Sequence, residues 1–255
     1  MAKVGADTPT NERCVMCGGG KRLCEAHIIP ESFFRKIKGD QATLLLIPSD
    51  KDAYQGKRPR GSWDSNILCA ECDNWLNDKY DRFASQVFLD HQGITFIFDI
   101  ESGMWVPRFD DLDVNTMKRF GLSVLWRAHH SQLDEYKAFS LGPLEPRVRE
   151  LVVDRKPFDP MEFETIIACF DVNLGIINPV HLVVDGQGFF EVNLGSWQLL
   201  VRDGFDAVHA DLAETVLRPG AKNHAIPRTM EGSSHHRLLM DMVLQNHEKK
   251  VMNRR

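Results

Sequence analysis

The sequence contains no apolar run close to the roughly 18 to 20 residues that a membrane-spanning helix needs. Its first segment, residues 1–12, is polar and lacks the apolar stretch of a secretory signal. We therefore predict a cytoplasmic protein without a membrane segment, with residues 1–12 forming a loose leader. Of its 255 residues, 43% are apolar. This is enough to build the hydrophobic core of one large domain or two modest ones.

Excess positive charge is also missing. A formal net charge of −5 and a pI near 6.1 argue against a protein that coats nucleic acid by bulk charge, because phosphate binding relies on clustered Lys and Arg. Short basic clusters do occur. Such clusters are usually solvated surface, so each needs neighbouring chemistry before it indicates a binding site. They comprise Arg35 with Lys36 and Lys38, Lys57 with Arg58 and Arg60, and the end of the chain over residues 249–255.

Cysteine is almost confined to the first part of the chain. After residue 72 only Cys169 occurs, in an apolar run where it is most simply a small core residue. The others include two C-x2-C pairs, which in a chain without secretory features indicate metal ligands better than disulfides. Together the pairs offer four thiolates for a tetrahedral site, the arrangement that zinc prefers. The sequence therefore predicts a structural zinc site formed by Cys14, Cys17, Cys69 and Cys72.

A second zinc arrangement stays open at this point. Cys14, Cys17, Cys24 and His27 could fill four ligand positions by themselves, which would leave the later cysteine pair without a metal. We prefer the four-cysteine site because a metal that closes a longer loop contributes more folding free energy. In that arrangement Cys24 is a buried thiol and His27 does not bind zinc.

Hydrophobic spacing gives the order of the predicted elements. Apolar residues at intervals of three and four predict a helix over 73–88, starting beside the second cysteine pair, and another from about 113 to 130. We also predict a hairpin over 94–106, strands over 164–172, 181–184, 189–194 and 197–201, and a helix over 234–248. The fold class is therefore α+β. A zinc-stapled module over 13–91 is followed by a mixed helix and antiparallel-strand domain over 92–255.

The order of motifs in the first module resembles the HNH endonucleases of the ββα-metal fold, in the zinc-containing branch. The resemblance rests on the first C-x2-C pair, the His in AHIIPESFFR, the Asn in NILC and the second C-x2-C pair, which an acid and a helix follow. It covers about residues 14–89. The module is also similar to uncharacterised bacterial HNH-like proteins.

The resemblance implies a role for four residues. His27 would act as general base, for which an unperturbed pKa near 6.5 is suitable. Asn66 would brace the loop that orients His27. Asp73 would hold a catalytic divalent ion such as Mg²⁺, and Asn77, one helical turn further, would be a second ligand. Without the resemblance, Asp73 is simply an acid placed favourably at a helix start and Asn77 a solvated residue.

One position departs from the family pattern. Many family members carry an Asp or His metal ligand directly before the catalytic His, and here that position is Ala26. Either fewer protein ligands hold the ion, with Glu25, Asn74 or water helping, or the activity is weak or lost.

The resemblance also suggests the partners. Lys57, Arg58 and Arg60 lie between the cysteine pairs, so we expect them to contact the DNA backbone without reading its sequence. Neighbouring Trp63 would anchor this loop or stack on a base. The leading hypothesis is a metal-dependent DNA endonuclease with a role in bacterial defence or mobile elements. The alternatives are a non-catalytic zinc module that binds nucleic acid or a protein partner, and an RNA-cleaving toxin. Besides DNA, the expected partners are another protein or a second copy of the chain in a homodimer.

Overall fold

A computed structural model of the protein describes residues 13–39, 44–46, 56–58, 61–100, 103–184 and 186–231. Within these ranges the fold is mixed α+β, and its sheets are largely antiparallel. None of the described helices combines the length and the apolar character needed to cross a membrane. The helix predicted over 234–248 lies outside the described residues.

The N-terminal elements are short strands followed by a long helical segment. Strands β1 (Ala26–His27) and β4 (Trp63–Asp64) pair antiparallel, and β2 (Leu44–Leu46) pairs with β3 (Gly56–Arg58). Helix α1 (Glu31–Lys38) follows β1. The predicted helix over 73–88 is present but begins earlier. It consists of α2 (Ala70–Leu76), a π-helical turn (Asn77–Asp81) and α3 (Arg82–Phe88).

The C-terminal elements surround one central helix, α4 (Val114–His130), whose N-cap Asp113 accepts a 3.0 Å hydrogen bond from the backbone N–H of Thr116. The predicted hairpin is β5 (Ile94–Asp99) and β6 (Met104–Phe109). The predicted strands appear as β7 (Thr165–Phe170), a longer β8 (Ile176–Val184), β9 (Gln187–Leu194) and β10 (Trp197–Arg202). The remaining elements are α5 (Glu145–Val152), α6 (Ala210–Ala213), β11 (Asn223–His224) and β12 (Ile226–Arg228).

Two sheets organise this part of the chain. The larger has the order β12-β7-β10-β9-β8, in which only the β12–β7 pairing is parallel. The smaller has the order β11-β6-β5, so that β5 is an edge strand. Antiparallel neighbours joined by tight turns are what the alternation of apolar runs with Gly-containing breaks predicts.

A continuous apolar core joins residues on both sides of the predicted boundary between 91 and 92. The ring of Phe33 stacks on Phe120 with centroids 6.2 Å apart, and Phe88 contacts Trp197 at 5.1 Å. The indole N–H of Trp197 also donates to the backbone carbonyl of Phe88 at 2.9 Å. Division into two domains stays a prediction, and the apolar contacts across the boundary are extensive.

Candidate metal centre and adjacent cleft

The sulfur atoms of Cys14, Cys17, Cys69 and Cys72 all lie within 4.8 Å of one another. The Sγ atoms of Cys17 and Cys69 are 4.0 Å apart. Tetrahedral zinc with bonds of about 2.3 Å to sulfur separates its ligand atoms by about 3.8 Å, so this spacing suits the ion. The four cysteines lie close enough to hold a metal ion, and the cluster is compatible with structural zinc.

Each cysteine pair is held by its own backbone turn. In the first, the N–H of Gly18 donates to the carbonyl of Cys14 at 2.8 Å, and Gly18 adopts a φ of 68°, which glycine reaches without steric penalty. In the second, Cys69 has an extended backbone and is the N-cap of α2, so Cys72 lies in the first helical turn. Both pairs therefore present their thiols from tight turns, and Cys17 is the exposed member of the four.

Backbone hydrogen bonds bring the two turns together. The N–H of Val15 donates to the carbonyl of Ile67, and the N–H of Cys24 donates to the carbonyl of Leu68, each at 2.9 Å. Segments far apart in sequence are thereby paired directly beside the cysteines. These backbone hydrogen bonds therefore hold the two cysteine pairs close together.

The thiols differ in acidity. Burial disfavours the thiolate of Cys14, but backbone hydrogen bonds from Cys17, Cys69 and Met16 lower the pKa of this thiol to about 7. Burial and the charge of Asp73 instead raise the pKa of Cys24 to about 11. Among the described residues, neither Cys24 nor His27 belongs to a cluster with metal-ligand spacing. The geometry therefore favours the four-cysteine arrangement over a site that includes Cys24 and His27.

A cleft of about 340 Å³ lies beside this cluster and brings together His27, Asp73 and Asn77. These are three of the four residues for which the HNH resemblance implies catalytic roles. The start of α1, the helical segment over 74–85 and α4 complete the walls. The other lining residues are Pro30, Glu31, Ser32, Arg35, Asn74, Asp81, Arg82, Ser85 and Arg127.

Strand and helix periodicity explain which side chains reach the cleft. Successive residues of a strand point to opposite faces, and Ala26 is fully buried while His27 is half-buried and lines the cleft. Asp73, Asn77 and Asp81 follow one another at intervals of four along the helical segment. The π-helical turn lies between Asn77 and Asp81, and such turns are frequent at functional sites.

Asn66 lies two residues after β4 and is not among the residues that line the cleft. Its backbone N–H and its Nδ2 donate to Oδ1 of Asp64 at 2.8 and 3.1 Å. Buried Asp64 also accepts from the Ser131 hydroxyl and from the backbone N–H of Gln132, at 2.9 and 2.6 Å. Asn66 therefore shapes the turn after β4, the strand paired with β1. That it braces His27 stays a prediction.

The sequence did not single out a buried ion pair in the cleft wall. Nη1 and Nη2 of the Arg127 guanidinium donate to the Asp81 carboxylate, at 2.9 and 2.8 Å, and the Arg127 side chain is only 1% exposed. The one available signal for Asp81 is its spacing from Asp73. For Arg127, in the apolar helix LSVLWRAHH, the sequence offers no signal.

The electrostatic environment of Asp73 is mixed. Burial raises the pKa of its carboxyl and the charge of Asp81 raises it further, whereas Arg127 and His27 act in the opposite direction. These effects place Asp73 within electrostatic reach of a histidine, an arginine and a second acid. Such a combination in a cleft is typical of functional sites.

Two exposed arginines lie at this cleft, one of them from a basic cluster noted in the sequence. Arg35 comes from α1, and Arg82 comes from α3, where it pairs with Asp78 at 2.7 Å. For Lys57 and Arg58 only the backbone in β3 is described, and Arg60 lies outside the described residues. Contact of the 57–60 strip with DNA therefore stays a prediction.

Comparisons with protein-family models, with curated proteins and with solved structures found no match to this chain. What the fold and the site define is an α+β protein whose four clustered cysteines can hold a metal ion. A cleft that contains histidine, carboxylate and arginine side chains lies beside this cluster.

Proposed function

We propose that this protein is a metal-dependent DNA endonuclease of the HNH type. The observation that carries the proposal is that His27, Asp73 and Asn77 line one cleft, although 46 residues of sequence separate His27 from Asp73. Strand β1, which carries His27, pairs with β4, and α2 follows β4 in the chain, an order compatible with the proposed module. The resemblance to the HNH pattern adds the expected role of each residue.

In the proposed reaction His27 accepts a proton from the water whose oxygen attacks the phosphorus atom. A new P–O bond forms, the bond from phosphorus to the leaving sugar oxygen breaks, and that oxygen takes up a proton from solvent. The half-buried imidazole of His27 lines the cleft, where it would reach a water beside a bound phosphate. Arg35 and Arg82 would contact the negatively charged backbone at the cleft.

The oxygen donors in the cleft fit a hard divalent cation. Asp73 offers a carboxylate and Asn77 a carboxamide oxygen from the next turn, which are ligand types that Mg²⁺ accepts together with water. When bound, such an ion would neutralise charge developing on the phosphate and on the leaving oxygen. Asp81 is unsuited to this role because both its oxygens accept hydrogen bonds from Arg127.

The second candidate function is a non-catalytic zinc module that binds nucleic acid or a protein partner. The observation that favours it is the complete burial of Ala26, since the strand residue before His27 offers neither a ligand atom nor access to the cleft. Under this hypothesis the cleft binds phosphate but does not hydrolyse it.

Nicking of supercoiled plasmid by the pure zinc-loaded chain, with and without Mg²⁺, separates the two functions. We expect Mg²⁺-dependent nicking that His27→Ala reduces at least about 100-fold, since a positioned proton acceptor contributes about that much. Zinc content and melting temperature should stay unchanged. His209→Ala, at an exposed histidine outside the cleft, is the matched control.

Binding of DNA without cleavage by the native chain would favour the non-catalytic module. Cleavage of RNA but not of plasmid would instead favour the hypothesis of an RNA-cleaving toxin. Loss of zinc and of folding in His27→Ala would assign His27 to the metal site, which contradicts the proposal.

A further inference from the structure

The hairpin formed by β5 and β6 exposes more large apolar side chains than any other described element. Phe96 and Ile97 are each 41% exposed, Phe98 is 49% exposed, and Ile100 and Trp105 reach 88% and 62%. Phe98 and Trp105 lie opposite each other and contact edge to face, with ring centroids 5.4 Å apart. Clusters of this kind mark interaction surfaces.

The outer edge of β5 has none of the usual protection against strand pairing. Edge strands are normally blunted by Lys, Pro, bulges or short length, whereas Ile94–Asp99 has six residues, a regular register with β6 and neither Lys nor Pro. Its composition of Ile, Thr and Phe has high strand propensity. Within the described residues no strand pairs with this edge. Both the backbone and the side chains of β5 therefore suit an added strand.

Backbone hydrogen bonds show which groups of β5 point outward. The N–H of Asp110 donates to the carbonyl of Gly93 at 2.9 Å and continues the β5–β6 ladder. In an antiparallel ladder such pairs alternate along the strand, so odd-numbered residues of β5 bond to β6. The N–H and C=O groups of Ile94, Phe96 and Phe98 consequently point away from the sheet.

We propose that β5 pairs antiparallel with β5 of a second copy of this chain, with a twofold axis at Ile97. The pattern of the strand around that point is self-complementary. On one face Phe96 meets Phe98 of the second copy and Ile94 meets Ile100, so apolar residues face apolar residues there. On the other face Ile97 meets its own copy and Thr95 meets Asp99, so the apolar contact at the axis is flanked by polar pairs. The outward backbone groups of Phe96 fall opposite those of Phe98, as hydrogen-bonded pairing requires. The two three-stranded sheets become one six-stranded sheet, an isologous arrangement.

This pairing does not depend on the proposed nuclease activity, because no residue of the cleft belongs to the hairpin. The proposed partner of β5 is a second copy of this chain. An identical hairpin added at this edge supplies partners for the outward backbone groups of β5 and places like side chains beside one another on both faces of the sheet. Ile97 then packs beside its own copy and Phe96 beside Phe98, so the flanks of these side chains lose contact with water.

Sedimentation of the zinc-loaded full chain at micromolar concentrations tests the proposal. We expect a dimer whose dissociation constant rises at least about 30-fold in Ile97→Lys, the effect of losing a central contact. Val183→Lys, at a residue 65% exposed on the edge strand β8, should leave the dimer intact. Unchanged melting and zinc content establish that Ile97→Lys still folds.

Charge complementation tests the position of the axis. Residues at the axis oppose their own copies at about 4.5 Å between Cα atoms, so two lysines repel and a lysine with a glutamate attract. Ile97→Lys and Ile97→Glu should each be monomeric alone and form a heterodimer when mixed. Amide exchange at Phe96 and Phe98 should slow in the dimer and quicken in either variant.

Three results would overturn the proposal. One is a monomeric native chain, and another is a dimer that Ile97→Lys leaves unchanged. The third is a chain ending at Glu231 that dimerises through Ile97 while the full chain does not, because this would identify residues 232–255 as the cover of the hairpin.

Discussion

Arg127 follows His27 by 100 residues in the chain, and its Nη1 donates a 2.9 Å hydrogen bond to the backbone carbonyl oxygen of His27. The same guanidinium holds the carboxylate of Asp81. One cation from α4 therefore fixes β1 relative to the π-helical turn that faces it across the cleft. Since β1 carries His27 and the helical segment carries Asp73 and Asn77, the distance between proposed base and proposed ligands depends on Arg127.

Asp81→Asn should lower the free energy of unfolding by about 3 to 5 kcal/mol, because it leaves the buried guanidinium of Arg127 without its counter-charge. Asp81 is 5% exposed, so water cannot replace the lost partner. Denaturant titration of the zinc-loaded protein measures the effect. Asp134→Asn removes an exposed carboxylate paired with Lys137 and should leave the free energy of unfolding nearly unchanged, because solvent screens an exposed ion pair. A loss below about 1 kcal/mol for Asp81→Asn would contradict this account.

Purified protein should contain about one zinc ion per chain, since the four cysteines form a single tetrahedral site. Changing Cys69 and Cys72 together to Ala should abolish zinc binding and destabilise the fold, because binding free energy contributes directly to folding. Cys24→Ser and Cys169→Ser should retain the metal. Elemental analysis measures the zinc content of each variant, and thermal melting measures its stability. Zinc lost from Cys24→Ser would restore the arrangement that uses Cys24 and His27.

Local patterns predicted much of the fold. The three-and-four spacing over 73–88 and 113–130 predicted both helices, and the second begins directly after its N-cap Asp113. Gly-containing breaks predicted the hairpin turns of the larger sheet. These features depend on residues that are neighbours in the sequence, so one amino-acid sequence is enough to predict them. The longer extent of β8 was missed because its first part contains Asn178 and Pro179, a pair typical of turns.

Only those parts of the candidate site that follow from the spacing of residues along the chain could be predicted from the sequence. Paired cysteines indicated the metal cluster, and helical spacing placed Asn77 one turn beyond Asp73. The roles of Asp64, Asp81 and Arg127 depend on partners 46 or more residues away, which no local pattern reveals. The π-helical turn was also missed, because it adds one residue to a turn without changing residue types. Buried polar contacts of this kind appear only with the tertiary structure.

Stability should rise with pH between about 8 and 10.5 through Lys118. This side chain is 7% exposed, donates to the backbone carbonyl of Glu162 at 2.6 Å and lies 4.2 Å from the Phe158 ring. Burial lowers the pKa of its ammonium group from 10.5 to about 8, although Glu162 and Glu164 oppose the shift. In that window the unfolded chain binds the proton and the folded chain does not, so unfolding becomes less favourable as pH increases.

Lys118→Met removes this titration while keeping a long apolar side chain. The free energy of unfolding of the native chain minus that of the variant should increase by up to about 1.4 kcal/mol per pH unit across the window and stay flat below pH 7. Taking the difference cancels groups that titrate in both proteins. A difference that does not vary with pH would show that Lys118 keeps an ordinary pKa in the folded state.

The proposed divalent-ion site predicts a specific response to changes on one helical segment. Asp73→Asn keeps the size of the side chain but removes the negative charge, so it should lower the Mg²⁺-dependent cleavage rate at least about tenfold and raise the Mg²⁺ concentration needed for half-maximal rate. Zinc content should stay the same because the cysteines are untouched. Asp134→Asn is the control, since Asp134 is an exposed carboxylate outside the cleft lining that pairs only with Lys137 among the contacts described for it. Asn77→Asp adds a carboxylate beside Asp73 and should lower the Mg²⁺ requirement. If Asp73→Asn cleaves at the native rate with the native Mg²⁺ dependence, the ion is held elsewhere in the cleft.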